Sequence, residues 1–334
     1  MDFSRAFQVA PEPWSYGTSD FYRELIENSD SILYSRHTDA KVREYVSLLE
    51  KKLLKLLGIT ETHRAAFVSS SAREMFTRIT SQFKPQSAAY VNTGYWSKTA
   101  CEYAYDRQKS KLIGLEQCNK RNVFDWLHFC HLETISGYQY DNLLQVEKRD
   151  ALLSCDMTGS LFTLDQDYSD CDVIMAASGK QFGFPGMTIV LLSQRAQDRI
   201  AVYSGKDNLI QYLDTFPVTP PLFQIVGLNK LCDLVLANGT DYYMEKRNKA
   251  ASTLYSYFDS SPYYRCEVPP EHRSIHMVVF SVVDDAFVDM NKLEIFKNHL
   301  VSPGTYRLSL VWSHCETEIA ALCQYLDESI KEKV

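Results

Sequence analysis

Lys180 follows a strand-like apolar run, Cys171-Asp-Val-Ile-Met-Ala-Ala-Ser178, and precedes another, Met187-Thr-Ile-Val-Leu-Leu-Ser193. Gly179, Gly183, Pro185 and Gly186 flank it, a composition that lets backbone come close to a ligand. Asp156, 24 residues upstream, ends a third apolar run, Ala151-Leu-Leu-Ser-Cys155. Both residues are therefore expected at one edge of one sheet, the edge at which open α/β sheets take their ligands. A lysine amine and a carboxylate so placed are the pair that pyridoxal phosphate chemistry needs. The amine forms a Schiff base with the cofactor aldehyde, and the carboxylate keeps the pyridine nitrogen protonated so that the ring can take up a carbanion's electrons. Taken singly, each has a plainer reading: a solvated loop lysine, and an aspartate that forms a turn or caps a helix.

Further segments, in chain order, fit the same chemistry. Val42, Tyr45, Val46, Leu49, Leu53 and Leu56 recur at helical spacing and stop at Gly58. Ala65-Ala-Phe-Val68 then reads as a strand that runs into Ser69-Ser-Ser-Ala-Arg73 and a helix over 74–83. Hydroxyls and free N–H groups at such a helix start make either a phosphate seat or a set of caps. Ala88-Ala-Tyr-Val-Asn-Thr-Gly-Tyr-Trp96 is a strand followed by a glycine turn, and Trp96 is placed either to lie on a cofactor ring or to join the core. Trp126-Leu-His-Phe-Cys130 precedes His131-Leu-Glu-Thr-Ile-Ser-Gly137, read as another strand ending in a polar turn, where Thr134 either bonds a cofactor oxygen or serves the turn. Beyond the lysine, Phe216-Pro-Val-Thr-Pro-Pro221 opens a helix over 222–237 with Thr219 at its entry, and Asn238-Gly239 stops it.

The positioning elements alternate between helical stripes and short strands, which is an α/β pattern without an internal repeat. After a helix over 242–259 the pattern changes to strand, strand, helix, strand, helix at 264–268, 274–283, 291–299, 307–311 and 316–329, as expected of a smaller α+β domain. The 334 residues are enough for two domains, and 45% hydrophobic with 23% charged residues is an ordinary globular balance. A net charge of -7 argues against a nucleic-acid surface. Nine cysteines without paired spacing suggest neither a disulfide framework nor a metal site. The start of the chain lacks a signal-peptide core and no apolar stretch reaches membrane-spanning length, so a cytoplasmic protein without membrane or nucleic-acid partners is expected.

These ordered segments resemble the phosphoserine aminotransferase family, fold type I pyridoxal phosphate enzymes of class V. Phe7-Gln-Val-Ala-Pro11 is similar to the family's N-terminal Phe-x-x-Gly-Pro entry, and Tyr90-Val-Asn-Thr-Gly-Tyr-Trp96 to its Tyr-Val-x-x-Gly-Tyr-Trp segment. Glu133-Thr-Ile-Ser-Gly137 resembles its Glu-Thr-Ile-x-Gly turn, Pro185-Gly-Met-Thr-Ile-Val190 the strand after its lysine, and Val218-Thr-Pro-Pro221 its Asn-Thr-Pro-Pro helix entry. The resemblance implies that Lys180 and Asp156 are the Schiff-base lysine and the pyridinium partner, that Trp96 stacks on the ring, and that Thr134 contacts the cofactor. It implies that the turn at Ala72 and Arg73 seats the cofactor phosphate and that Thr219 reaches the phosphate in the neighbouring subunit of a homodimer; the family's glycine-rich turn is Ser69-Ser-Ser-Ala72 here, and from their position the hydroxyls of Ser70 and Ser71 are expected to compensate.

Departures from the family pattern fall on the clamps. Gly179 stands where the family has glutamine and Val218 where it has asparagine, so two cofactor-phosphate ligands are absent. Among the implied substrate residues, Ser35-Arg36-His37 transposes the basic pair, Arg73 is kept, and His299-Leu300 lacks the family's arginine. Arg307 falls on the arginine that grips the α-carboxylate. The resemblance thus implies a homodimeric ping-pong aminotransferase of amino-acid metabolism, serine biosynthesis being the family's place. Its substrate is phosphoserine or a related acidic amino acid, exchanged with glutamate and 2-oxoglutarate. Its architecture is a large domain over 16–238 with a mainly parallel central sheet flanked by helices, and a small α+β domain over 239–334 joined by residues 1–15. Another pyridoxal phosphate reaction on the same fold (a lyase or decarboxylase) and a non-catalytic scaffold are the alternatives.

Overall fold

The computed structural model of the chain describes residues 32–118, 124–145, 150–163, 166–182, 184–201, 208–214, 218–310 and 316–331. The Phe7–Pro11 segment, the junction over 1–15 and Gly183 lie outside the described residues.

Seven strands form the central sheet: β1 (His63–Val68), β2 (Ala88–Val91), β3 (Ser110–Ile113), β4 (Trp126–Cys130), β5 (Leu152–Asp156), β6 (Val173–Ala177) and β7 (Thr188–Ser193). Their order is β1-β7-β6-β5-β4-β2-β3, with only β7 antiparallel to its neighbours. The strands read as near-continuous apolar runs because both faces are covered, as parallel sheets require. Alternate residues feed two cores. Phe67, Phe129, Leu153 and Ile174 pack on one face with Leu49 and Leu53 of α1 (Ala40–Leu56). Tyr90, Trp126, Leu152 and Met175 pack on the other with Phe76 and Ile79 of α2 (Ala72–Phe83) and Ala100 of α3 (Tyr95–Glu102). Ala196 of α4 (Gln194–Ala201) joins the second face, and Ile225 and Leu228 of α5 (Leu222–Asn238) join the first.

A second sheet is wholly antiparallel, in the order β10-β11-β9-β8, from β8 (Tyr264–Cys266), β9 (Met277–Val282), β10 (Leu300–Ser302) and β11 (Thr305–Ser309). Its core is aromatic, with Phe258 of α6 (Thr240–Ser260) stacked 4.6 Å from Phe280, and Leu322 and Leu326 of α7 (Glu316–Glu328) closing it. Leu132, Val268, Met277 and Val279 form a small cluster where the two sheet systems meet.

The strand expected over 131–137 does not form. β4 stops at Cys130, and residues 133–138 fold into a tight turn in which Gly137 N–H donates to Glu133 O at 2.8 Å and Glu133 N–H to Tyr138 O at 2.9 Å. Gly137 sits at φ +81°, which ends any extended pairing. The helix expected over 291–299 is a 3₁₀ helix, Lys292–His299, and Tyr95 and Trp96 open α3 instead of lying in a loop.

Candidate active site

Because β1, β2, β4, β5 and β6 run the same way, the connections that leave their C-terminal ends all open on one edge of the sheet. Residues 69–71 leave β1 there, 92–96 leave β2, 131–134 leave β4, 157–159 leave β5 and 178–180 leave β6.

Asp156 is the last residue of β5 and is buried, at 3% exposure. Its Oδ1 accepts from the Thr158 N–H at 2.9 Å and from the Thr158 hydroxyl at 2.6 Å, and that hydroxyl accepts from Ala177 N–H at 3.1 Å. Both bonds fall on one oxygen, so Oδ2 keeps no protein partner among the described residues. Lys180 follows Gly179, whose φ of +94° and close approach to Pro185, 2.9 Å from where a Cβ would stand, make a side chain there strained in this backbone. The glycine thus suits the turn that aims the lysine.

Lys180 Nζ donates to Thr134 Oγ1 at 2.8 Å and lies 5.2 Å from the centre of the Trp96 ring. Trp96 Nε1 donates to the same hydroxyl at 3.1 Å. Burial pushes the Lys180 ammonium below its ordinary pKa against the opposing charge of Asp156. It pushes Asp156 above the usual carboxylate range against the bonds from Thr158 and the charge of Lys180. A small cleft lies between Ala72, Trp96, Thr134, Asp156, Thr158 and Lys180.

Arg307 reaches this cluster from β11 of the other sheet. Its Nη1 donates to Thr134 O at 3.0 Å, its Nε is buried without a partner, and burial lowers its pKa. Arg73, in the first turn of α2, lies 5.7 Å from the Trp96 ring centre and donates to Tyr95 OH at 3.0 Å.

The serines divide. Ser71 is the N-cap of α2 in a capping box: its N–H donates to Glu74 Oε2 at 2.7 Å, and its hydroxyl donates to the same oxygen at 3.0 Å and accepts from Glu74 N–H at 3.4 Å. Those bonds also hold the Glu74 carboxyl below its ordinary range. Ser70 Oγ, by contrast, is buried and has no hydrogen-bond partner among the described residues.

Among the described residues, Arg36, His37 and Thr219 make no hydrogen bond to the Lys180 cluster. Arg36 is exposed, with its N–H on Asp39 Oδ2 at 3.2 Å; His37 is half-buried; and among the described residues neither bonds to the cluster. Thr219 is exposed just ahead of α5. His299 ends the 3₁₀ helix before β10. Thr158 and Glu133 were not expected to matter. Their signals were an Asp-x-Thr step at a strand end, and a carboxylate embedded in the apolar run around Leu132.

The profile of the family described as Aminotransferase class-V matches residues 8–322, nearly the whole chain. The chain belongs to the class-V aminotransferase family. A phosphoserine aminotransferase of Haemophilus influenzae is 28% identical over 329 residues, 89% of this chain and 88% of that protein. One of Mannheimia succiniciproducens is 28% identical over 282 residues, 76% of this chain and 75% of that protein. Among solved structures, a phosphoserine aminotransferase of Bacillus circulans superposes with a TM-score of 0.77 at 21% identity, covering 91% of this chain and 94% of that one. The shared architecture is the fold type I aminotransferase fold.

Pyridoxal phosphate is the cofactor of this aminotransferase, and the residues present fit it. Asp156 offers an unshared carboxylate oxygen, Trp96 an aromatic face at the cavity, Lys180 an amine with a depressed pKa, and Ser70 a buried hydroxyl at the start of α2 that lacks a partner. Among the described residues no helix is long and apolar enough to cross a membrane, and no His, Cys, Asp and Glu side chains gather to hold a metal ion.

Proposed function

We propose that the chain transaminates phosphoserine or a closely related acidic amino acid, with glutamate and 2-oxoglutarate as the exchange pair, in a ping-pong cycle. The observation that carries this reading is the meeting of Lys180, Thr134, Trp96 and Asp156 around one cavity, with Arg307 delivered to the same threonine. Bound there, pyridoxal phosphate supplies an aldehyde that captures the amine and a ring that withdraws electrons. Asp156 Oδ2 would accept a hydrogen bond from the protonated ring nitrogen, Trp96 would cover the ring, and Ala72 N–H, Arg73 N–H and Ser70 Oγ would hold the phosphate at the start of α2. Thr134 Oγ1 holds the Lys180 amine, which with the cofactor bound would take up the amino acid's α-proton at Nζ and give it back as general acid. The substrate α-carboxylate takes Arg307, whose Nε is unpartnered. Arg73 faces the second acidic group, with Arg36, His37 and His299 as further candidates for that end.

Thr219, exposed just ahead of α5, suits a role in the partner site of a homodimer. Mixing Lys180→Ala with Thr219→Ala subunits then restores activity through hybrid dimers with one intact site. No rescue despite subunit exchange would remove the shared site. The division into 16–238 and 239–334, joined by 1–15, belongs to the same proposal. So does a cytoplasmic setting, which free thiols at all eight described cysteines suit.

The names of the relatives support phosphoserine as the amino donor. The missing arginine at Leu300 supports a loosened phosphate clamp, since a charge-assisted hydrogen bond is worth roughly 1.5–3 kcal/mol. The deciding experiment compares kcat/KM for phosphoserine, serine and dicarboxylic amino acids in wild type and in Leu300→Arg. A gain of about ten- to a hundredfold for phosphoserine in the variant is expected. Phosphoserine best by orders of magnitude, with no gain from Leu300→Arg, would refute the loosened clamp; no transamination of any acidic amino acid would refute the function.

A further inference from the structure

Glu133 is completely buried, with 0% exposure, yet it touches no cofactor-facing surface of its own. Its carboxylate does something else. Oε2 accepts from Trp96 N–H at 2.8 Å, and Oε1 accepts from Ser97 N–H at 3.0 Å and from the Thr93 hydroxyl at 3.0 Å. Two of these donors are the free N–H groups of the first turn of α3, so a long-range glutamate from the β4 turn occupies the anion position at a helix start. The space for it is made by Gly94, where a Cβ would stand 2.9 Å from both Glu133 Cγ and Cδ. Burial raises the Glu133 pKa against these three bonds, all of which are made to acceptor oxygens.

The next residue, Thr134, accepts from Trp96 Nε1 and from Lys180 Nζ, and its carbonyl accepts from Arg307. One dipeptide therefore grips Trp96 at both its backbone and its indole, and fixes the amine and the arginine through the second of its residues. We infer that Glu133 is a positioning residue that sets the plane of the Trp96 ring and, by holding the turn on which Thr134 stands, the place of the Lys180 amine. The inference rests on the reading of Trp96 and Lys180 given above. It adds a residue that acts through them: the Oε2 bond prevents rotation of the first turn of α3, and the indole bond prevents rotation about the Trp96 side chain.

Glu133→Gln tests it, because the amide keeps the volume but must present an NH₂ group to at least one of the N–H donors it faces. The Trp96 part of the near-ultraviolet circular dichroism of the cofactor-free protein is defined by difference from Trp96→Phe. In Glu133→Gln this part should fall by half or more while the remaining aromatic signal persists. Cofactor should bind several-fold more weakly. The holoenzyme's visible band should titrate with a shifted midpoint, and kcat should fall about tenfold with KM for the amino acid little changed, a loss of the size expected for one charge-assisted hydrogen bond. An intact Trp96 signal, or kcat within twofold of wild type, overturns the inference. If Glu133→Gln does not fold, Thr93→Val decides: it removes one donor and should move the Trp96 signal and kcat in the same direction by a smaller factor, and wild-type values for both overturn the inference. Failure of the underlying reading looks different, since Trp96→Phe and Lys180→Ala would then themselves leave cofactor binding and turnover unchanged.

Discussion

The two ends of the central sheet treat their polar groups in opposite ways. At the end where the parallel strands begin, the carboxylates of Asp125 and Asp172 are engaged by local partners. Asp125 accepts from Gln86 N–H and Ser87 N–H at 2.9 Å each and from Arg199 Nη2 at 2.8 Å, and Asp172 accepts from Leu153 N–H at 2.9 Å and from the Ser193 hydroxyl at 3.0 Å. At the end where those strands finish, Ser70 Oγ and Arg307 Nε have no partner, Asp156 engages one oxygen, and the Lys180 amine has a single hydrogen bond. A buried polar group left without a partner costs about 1–3 kcal/mol. Several of them on the edge that carries Lys180 and Asp156 mark where a polar ligand completes the fold.

The contrast breaks most sharply at Lys180. Lys180→Ala should lower turnover by at least about 10³-fold, the scale of a positioned base and nucleophile together, while still binding cofactor noncovalently. Borohydride followed by peptide mapping should fix the cofactor to Lys180 in wild type. Label on a different lysine would contradict the assignment. Asp156→Asn keeps an oxygen for Thr158 but loses the anion, and kcat should drop about ten- to a hundredfold without unfolding; an unchanged kcat would place the carboxylate outside the chemistry.

Smaller changes sharpen the comparison. Removing the unpartnered hydroxyl by Ser70→Ala should weaken cofactor binding by about fivefold, measured by equilibrium dialysis, and an equal dissociation constant would return Ser70 to a plain structural role. At the satisfied end, Asp125→Asn should leave kcat alone and lower stability by about 1 kcal/mol in urea unfolding; a fall in kcat would erase the difference between the two ends.

Between the ends lies His128, buried in β4 with Nδ1 2.9 Å from Ser154 Oγ and lowered by burial from 6.5 to about 3. The unfolded chain takes up this proton first. Stability is therefore complete above 6.5 and declines as pH falls toward 3, with a slope of roughly 1.4 kcal/mol per pH unit from this one group. Urea unfolding at stepped pH should show the slope reduced by one proton in His128→Gln, and an unchanged slope would mean that His128 is protonated in the fold.

Much of the fold was legible because the signals were local. β2, β4, β5, β6 and β7 follow the apolar runs read from the sequence, β1 starts two residues before its run, and α1, α2 and α5 lie within a few residues of the expected helices. The turn at 131–137 was misread. Its alternation of apolar and polar residues suits a strand, and only Gly137 and the docking of Val279 and Val268 against it force the chain to double back. Ser70 and Ser71 were indistinguishable in sequence. A single neighbour, Glu74, commits Ser71 to the helix cap and leaves Ser70 to the ligand side.

The sequence by itself determined the alternation of strands and helices, the Lys180 and Asp156 pair and the family to which they belong, because apolar periodicity and short motifs are written residue by residue. What only the tertiary structure decided is which side chains share one hydroxyl. Thr134 meets Trp96 from 38 residues away, Lys180 from 46 and Arg307 from 173, the last across two sheets. Hydrogen bonds act over about 3 Å and are indifferent to chain separation. Parallel strand order and the junction of the two sheets therefore place those groups together, and no local pattern could have announced it.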